Sequence, residues 1–273
     1  FAEKLTFNGL FPALLFVKIA SAHIDWGYAL PIAAAIVVGI HLTAAAAVPF
    51  RGAMKLSPER FVSVFQGGFR SNTYVGFAIV LAVFGDSATG PMVVSVFMVA
   101  VTINFLGVWG HLKWIDRPGG SKGWKAVAID SLKNPLIQAS LVGGLFNITG
   151  WGLPPIIGPT LELLSRAALP MGLMAVGAGL SLHAVRDARM PVFLATFLKL
   201  VLQPAVTYGL CVWMGLEGYA LMVPVVFAAL PTSSTSYVVS RQMGSDAPLA
   251  AAIVTATHLA AIVTLPVLLL LMN

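Results

Sequence analysis

Charged residues are rare in this chain of 273 residues, where Asp, Glu, Lys and Arg together make up 10% of the sequence. An ordinary soluble domain contains about 25% charged residues, so this composition excludes a soluble globular domain. Hydrophobic residues make up 58%, and the mean hydropathy is +0.91. The chain is therefore predicted to be an integral membrane protein with several spans.

Several other features are absent, and each absence removes a class of protein. The single cysteine, Cys211, lies in an apolar run, so no disulfide can form within the chain. The net charge of +6 comes without a basic patch interleaved with aromatic residues, which argues against nucleic-acid binding. No cleavable signal-peptide pattern is present. The motifs H-E-x-x-H and G-x-S-x-G, a pair of mid-membrane aspartates and a phosphate loop are all missing, so we predict neither an enzyme nor an ATP-driven pump.

Nine apolar segments are long enough, or nearly so, to cross a bilayer as helices, which takes about 20 residues. They lie at 5–22, 27–50, 61–84, 88–109, 132–150, 160–182, 190–214, 219–240 and 247–272. These segments are too long for barrel strands, and only helices otherwise satisfy every backbone group inside lipid. We therefore predict an all-α membrane protein.

Basic residues mark one side of these spans. They occur in the loops 51–60, 110–133 and 183–189, at Lys4 and at Arg241. The alternate loops and the C-terminus contain no lysine or arginine. The positive-inside rule places the basic loops in the cytoplasm and the C-terminus outside. We expect a multi-pass protein of the cell membrane, the inner membrane in a bacterium.

The two halves of the chain show the same spacing between a polar or proline position inside a span and the glycine after that span. The interval from Asn72 to Gly85 equals the interval from Pro231 to Gly244, and an acid at the start of a long apolar helix follows each glycine. Such an acid caps a helix and interacts favourably with its dipole. Because a unit of five spans is odd, two such units lie in opposite orientations, as in many secondary transporters.

The repeat divides the chain into a first inverted repeat at 1–112, a basic cytoplasmic linker at 113–131 and a second repeat at 132–273. Four spans precede the linker and five follow it. We therefore expect the first repeat to lack its opening helix, which would precede Phe1 in a protein of about ten helices. A chain of nine helices is the alternative.

Polar residues interrupt two of the spans near their midpoints. The segment 61–84 contains GGFRSNTYVG (67–76), and the segment 219–240 contains Pro231 followed by five hydroxyl residues. Proline removes a helical hydrogen bond, and irregular backbone at membrane depth occurs only inside protein or beside a wet cavity. Matched interruptions indicate a transporter's substrate site, and helix N-termini suit an anion. The alternative is that the hydroxyls bond to carbonyls of the preceding turn and permit close helix packing.

Six stretches, in order along nearly the whole chain, resemble the auxin efflux carrier family, which includes the plant PIN-type carriers and bacterial malonate and malate carriers. They are FPALLF (11–16), SNTYVGFAIVLAVFGD (71–86), LKNPLIQASLVGG (132–144), RAALPMGLMAVGAGLSL (166–182), FLKLVLQPAV (197–206) and AALPTSSTSYVVSRQMGSD (228–246). The resemblance implies ten helices in two inverted repeats, in the fold shared with NhaA-type antiporters and bile-acid transporters. It also implies that two broken helices cross at Ser71–Asn72 and Pro231–Thr232, with the substrate at the crossing.

An elevator-type motion is a further implication of the resemblance. The scaffold would comprise 5–22 and 132–182, and the mobile transport domain would comprise 27–109 and 190–272. The glycine-rich stretch 172–180 is expected to allow close packing in the scaffold or a homodimer contact through it. The family often has a proline beside the asparagine of the first crossing, where this chain has Ser71. The first break is therefore expected to be milder than the second.

Charges inside a membrane are costly and usually functional. Arg70 has two open interpretations, a counter-charge for a substrate carboxylate or a structural arginine that fills the crossing. Lys199 lies where some antiporters of the related fold keep a basic residue that offsets helix dipoles, and Gln203 follows one turn later. His258 and His41 are candidates for carrying a coupling proton, with hydrogen-bonded packing as the alternative.

No acidic residue lies at the middle of a visible span, so hydroxyls and backbone carbonyls are the alternative ligands for a coupling Na⁺, near Ser233 and Ser234. The predicted substrate-binding residues are Arg70, Ser71, Asn72, Thr73, Pro231, Thr232, Ser233 and Ser234. Basic residues and helix N-termini favour an anion. The expected function is secondary active transport of a small organic anion, a mono- or dicarboxylate, with Na⁺ or H⁺ as coupling ion and no cofactor. A membrane receptor or a channel without coupled transport is the alternative.

Overall fold

The computed structural model describes residues 5–22, 26–115, 135–153, 155–178 and 188–272. Every regular element in these ranges is helical, as the predicted all-α class requires. Each of the nine predicted apolar segments contains helix. The predicted linker beyond residue 115 and the end of the 160–182 segment lie outside the described residues.

The α-helices are α1 (Phe11–Ala20), α2 (Trp26–Ala53), α3 (Pro58–Gly67), α4 (Thr73–Phe84), α5 (Thr89–Trp114), α6 (Pro135–Thr149), α7 (Gly158–Ala178), α8 (Arg189–Phe197), α9 (Gln203–Trp213), α10 (Gly218–Ala229), α11 (Thr235–Met243) and α12 (Ala247–Met272). Two π-helical turns, Thr6–Leu10 and Leu198–Leu202, and one 3₁₀ turn, Gly85–Ala88, complete the described helices. Four continuous helical stretches are long and apolar enough to cross a membrane: Gly27–Ala53, Thr73–Trp114, Arg189–Trp213 and Ala247–Met272.

Two of the predicted spans are broken in the middle. Between α3 and α4 lie residues 68–72, and between α10 and α11 lie residues 230–234. The two breaks are equally long, so the expectation of a milder first break is wrong in this respect. The reason is that Asn72 is extended (φ −82°, ψ 94°) and accepts hydrogen bonds from two backbone amides of α4 through its side chain. An N-cap of this kind starts a new helix after the break without a proline beside it.

The turns after the two broken helices differ in their acids. Gly244 ends α11 in the left-handed region (φ 80°), and Asp246 then caps α12 by accepting from the amide of Leu249 at 2.9 Å. In the corresponding turn of the first half, Asp86 lies in the 3₁₀ turn and makes no cap. It binds Lys18 of α1 instead, with 2.9 Å between Nζ and Oδ1.

The helices pack in two groups. Helix α1 packs against α6 and α7, while α2–α5 and α8–α12 pack on one another. The second group contains most of the large buried side chains, among them Phe61, Phe65, Phe69 and Phe227. Contacts of α7 with α4 and of α5 with α1 and α6 join the two groups. Both helix breaks therefore lie within the larger group, beside its boundary with the smaller one.

Candidate functional site

The two breaks pair with each other. The amide of Asn72 donates to the carbonyl of Pro231 at 2.9 Å, and the amide of Ser233 donates to the carbonyl of Arg70 at 3.0 Å. Together these bonds form an isolated antiparallel bridge between Ser71 and Thr232. Backbone groups that leave a helix inside a membrane must find other partners, and here each break supplies partners for the other.

Buried Thr232 connects three helical segments at the crossing through hydrogen bonds. Its side chain is fully buried, and its hydroxyl donates to the carbonyl of Gly67, the last residue of α3, at 2.7 Å. Its amide donates to the hydroxyl of Thr257 on α12 at 3.0 Å. One residue of the second break thus satisfies the end of the first broken helix and ties both to α12.

Asn72 connects the first break to α4 and α12. Its Oδ1 accepts from the amides of Tyr74 at 3.1 Å and Val75 at 3.5 Å. Its Nδ2 lies 3.2 Å from Nε2 of His258. The other ring nitrogen of His258, Nδ1, lies 2.7 Å from the carbonyl of Val254. The predicted site residue Asn72 and the predicted coupling residue His258 are therefore in direct contact.

Arg70 reaches across the crossing to α5. Its Nη2 donates to Asn104 Oδ1 at 3.0 Å and to Thr235 Oγ1 at 3.3 Å, and its Nη1 donates to the carbonyl of Ile103 at 3.5 Å. Arg70 is only 3% exposed. Gly107 makes room for the guanidinium, since a Cβ there would lie 2.8 Å from Nη1. These contacts are those of an arginine that fills the crossing and joins α5 to the start of α11.

Lys199 and Gln203 approach the ends of the two N-terminal half-helices. Lys199 is fully buried, and its Nζ donates to Gln203 Oε1 at 2.7 Å and to the carbonyl of Ala228 near the end of α10. Gln203 Nε2 in turn donates to the carbonyl of Phe69, just after α3, at 3.4 Å. A cation is stabilising at a helix C-terminus. The π-helical turn Leu198–Leu202 carries the lysine, and π-helical turns are frequent at functional sites.

Accessibility divides the predicted site residues into two sets. Ser71, Asn72, Pro231 and Thr232 are buried, and Ser233 is 9% exposed. Thr73 and Ser234 are half-buried, and they stand where α4 and α11 begin. The buried set holds the crossing together, while the hydroxyl residues Thr73 and Ser234 are partly accessible. Both stand at helix N-termini, which carry partial positive charge.

Two buried polar atoms of the crossing lack a hydrogen-bond partner within the described part of the chain. They are Arg70 Nε and Ser71 Oγ. Buried polar groups are nearly always paired, so an unpaired donor and hydroxyl at one place suit a ligand. Across the described ranges, no group of three or more His, Cys, Asp or Glu could hold a metal ion. Ser233 Oγ lies 2.9 Å from Thr235 Oγ1, and Na⁺ near Ser233 and Ser234 stays a prediction.

Sequence reasoning missed several residues that build the crossing. Asn104 and Thr235 hold Arg70, and Thr257 holds Thr232. Gln66 joins α3 to α11 by donating from Nε2 to Ser240 Oγ at 2.6 Å. The available signal was a polar residue inside an apolar run, which Asn104 and Gln66 both show. Their partners lie far away in the chain, so no local pattern identifies the contacts.

The family model described as "Membrane transport protein" matches residues 3–269. The chain belongs to this family, that of the auxin efflux carriers. It is thus a member of a membrane transporter family, and the resemblance found in the sequence is confirmed.

Individual relatives are distant. "Uncharacterized transporter YfdV" of Escherichia coli (strain K12) is 22% identical over 272 residues, which cover 97% of this chain and 85% of the relative. "Putative malonate transporter" of Rhizobium meliloti (strain 1021) is 24% identical over 79% of this chain and 68% of its own length. "Probable auxin efflux carrier component 1b" of Oryza sativa subsp. japonica is 26% identical over 41% of this chain and 21% of its own length.

Proposed function

We propose that this protein is a secondary active transporter of a small organic anion, a mono- or dicarboxylate, which binds at the crossing. The observation that carries the proposal is the bridge between Ser71 and Thr232. It brings the first turns of α4 and α11 to one place in the middle of the apolar helices, together with half-buried hydroxyls from Thr73 and Ser234. The N-terminal ends of the two helices offer an anion partial positive charge.

The charge distribution supports an anion over a cation. Arg70 and Lys199 are buried beside the crossing. The acids of the described ranges lie at helix ends or in connecting segments: Glu59, Asp86, Glu162, Glu217 and Asp246. Both terminal nitrogens of Arg70 donate to protein oxygens. Arg70 therefore acts on the anion mainly through its charge, together with its Nε, which has no partner among the described residues. The half-buried hydroxyls of Thr73 and Ser234 supply further direct contacts.

A carboxylate is the proposed cargo because a related protein bears the name of a malonate transporter and because carboxylate oxygens accept hydrogen bonds from hydroxyls and amides. The test is uptake of radiolabelled malonate into proteoliposomes containing the purified protein. A transporter shows saturable flux and accelerates exchange when unlabelled malonate is placed inside. A receptor would bind malonate without flux, and a channel would show flux without counterflow.

Transport by an elevator-type motion would move the larger helix group, including α3–α4 and α10–α11, along α1, α6 and α7. Two contacts cross this boundary. Phe11 of α1 stacks on Tyr74 of α4 with 3.7 Å between ring centroids. Lys18 at the end of α1 binds Asp86, just after α4. Both contacts must break or slide if the groups move.

A cross-link tests this motion. Lys18→Cys combined with Asp86→Cys, joined by a short bis-maleimide, should stop malonate flux, because the link ties α1 to the α4–α5 turn. Each single variant treated in the same way is the control. The native Cys211 is buried, so it reacts slowly with the reagent. Unchanged flux in the fully cross-linked protein would exclude a motion between the two helix groups.

Further parts of the proposal rest on the sequence. The basic loops lie in the cytoplasm and the C-terminus outside, as the charge asymmetry favours. Na⁺ near Ser233 and Ser234, or a proton, is the proposed coupling ion. A homodimer through the scaffold is also proposed. Exposed apolar side chains on α6 and α7, such as Leu145 and Leu163, offer a surface that lipid or a second copy would cover.

A further inference from the structure

His258 is the histidine of the described ranges that touches the crossing. His41, His111 and His258 share one local arrangement, in which Nδ1 lies 2.7 Å from the carbonyl four residues earlier. Their second nitrogens differ. His41 is exposed, His111 Nε2 lies 3.0 Å from Ser245 Oγ, and His258 Nε2 lies 3.2 Å from Asn72 Nδ2. The local hydrogen bond of Nδ1 is therefore alike in the three cases, and the contact with Asn72 distinguishes His258.

The neighbours of His258 define where its proton lies. The carbonyl of Val254 can only accept, so Nδ1 carries a hydrogen and donates to it. The Oδ1 of Asn72 is engaged by the amides of Tyr74 and Val75, so the amide nitrogen of Asn72 faces the ring. A neutral ring then accepts from Asn72 through Nε2. A second proton on the ring would place an N–H against the NH₂ of Asn72 and end this hydrogen bond.

The charges around His258 oppose its protonation while the crossing is empty. Arg70 lies on the same break as Asn72, and Lys199 lies on the π-helical turn that packs against α12. The other charged groups on elements packed against α12 lie toward the helix ends: Glu59, Arg60, Arg189, Arg241 and Asp246. Asp246 is about 18 Å from His258 along the helix, at 1.5 Å per residue. The nearby formal charges are thus positive, and like charge disfavours a charged imidazole.

We propose that His258 takes up a proton when an anion occupies the crossing, so that the proton and the anion cross the membrane together. This inference rests on the proposed function and names its coupling ion. The negative charge of the anion offsets Arg70 and Lys199 and favours the charged ring. Protonation then frees Nε2–H of His258 and the NH₂ of Asn72 from each other, and both donate to the carboxylate. The proton comes from bulk water and is released with the anion.

Thermodynamic linkage makes the proposal measurable. If anion binding promotes protonation, protonation promotes anion binding by the same factor. The dissociation constant for malonate should therefore fall by up to about tenfold for each unit by which the pH is lowered, as expected for uptake of one proton. Calorimetric titration in two buffers of different ionisation enthalpy should show uptake of about one proton per malonate bound.

His258→Gln is the informative variant, since an amide oxygen can still accept from Asn72 but does not titrate. Malonate binding to this variant should be retained, with no proton uptake and little dependence on pH between about 6.5 and 8.5, where malonate itself remains a dianion. His41→Gln is the matched control, because His41 has the same local hydrogen bond without the contact to Asn72. It should behave as the wild type does.

Three results would overturn the proposal. Wild-type protein that binds malonate without taking up a proton excludes proton coupling, and it leaves the proposed function intact. Equal proton uptake by wild type and His258→Gln places the proton elsewhere, for example on malonate itself. Absence of saturable malonate binding in the wild type contradicts the proposed dicarboxylate function, and the inference about His258 falls with it. The first measurement needs only the wild type, so poor folding of the variant would not prevent a decision.

Discussion

In both helix breaks, the backbone groups that leave the helix need hydrogen-bond partners. The two breaks meet this need with different side chains. In the first break, residues 68–72, one side chain makes the main contacts: Asn72 caps α4 and also contacts His258. In the second break, residues 230–234, Pro231 interrupts the helix, and α11 begins without a side-chain cap from Ser234. Leu230 is extended (φ −61°, ψ 149°), as expected of a residue before proline.

This difference indicates a division of roles. The second break is held mainly through backbone groups and through buried Thr232, so its shape depends on several contacts. The first break depends on Asn72, whose amide group has no substitute among its neighbours. Function should therefore be more sensitive to side-chain changes at the first break than at the second. Four substitutions test this comparison, in order of decreasing expected effect.

Asn72→Ala should abolish malonate transport while leaving expression intact. It removes the cap of α4, which costs about 1 kcal/mol, and it also removes the contact with His258. The measurement is initial uptake into proteoliposomes at matched protein content. Asn72→Ser is the matched comparison, since serine can still cap α4 but is too short to replace the amide at His258. Normal transport by Asn72→Ala would show that the first break is not the site.

Of the four substitutions, Lys199→Met should lower the thermal stability most, because Lys199 contacts both breaks. It donates to the carbonyl of Ala228 and to Gln203, which in turn donates to the carbonyl of Phe69. Two buried acceptors would lose their donor, at a cost of about 3 kcal/mol. Transport should fall because both half-helix ends loosen. The thermal midpoint in detergent measures the effect. Lys113→Met is the control, since Lys113 is exposed and lies over the Trp109 ring. A Lys199→Met protein as stable as the wild type would contradict this assignment.

Pro231→Ala should impair transport less than Asn72→Ala does. Alanine permits a helical hydrogen bond, which favours a straighter α10–α11 segment, but the bonds of Thr232 to Gly67 and Thr257 oppose that change. Flux several-fold below that of the wild type is expected. Pro224→Ala, within the unbroken part of α10, is the control for losing a proline from the same span. Unchanged flux in Pro231→Ala would show that the second break does not depend on its proline.

Gly107→Ala should have the smallest effect. The new Cβ would lie 2.8 Å from Arg70 Nη1, and the flexible end of the arginine can move away from it. Loss of the contact with Ile103 or Asn104 is offset in part by the helix propensity of alanine, about 1 kcal/mol. A modest fall in malonate affinity with little change in the thermal midpoint is expected. Gly144→Ala, where nothing lies within 4 Å, is the control. A loss of malonate transport as large as that of Asn72→Ala would show that Arg70 contacts the anion directly.

Much of this architecture could be predicted from the sequence because its signals are local. Proline at 231 and the run of small and polar residues around Asn72 interrupt apolar segments, and both breaks occur where these residues predict them. Asp246 caps α12 as its place after Gly244 predicts. Asp86 follows the same pattern and does not cap α5; it lies in the 3₁₀ turn and binds Lys18 from another helix. The prediction of a milder first break was wrong because it considered only the missing proline at position 71. It did not consider that the side chain of Asn72 caps α4.

The sequence by itself determined the membrane class, the helical segments and the position of both breaks, since apolar length and backbone chemistry act within a few residues of the chain. Only the tertiary structure decided which groups meet at the crossing. Asn72 and His258 are 186 positions apart, and Arg70 and Thr235 are 165 apart. Such contacts arise from the packing of whole helices, which no short stretch of sequence specifies. Nε2 of His258 acquires its partner Asn72 in this way, while His41, with the same local hydrogen bond of Nδ1, is exposed.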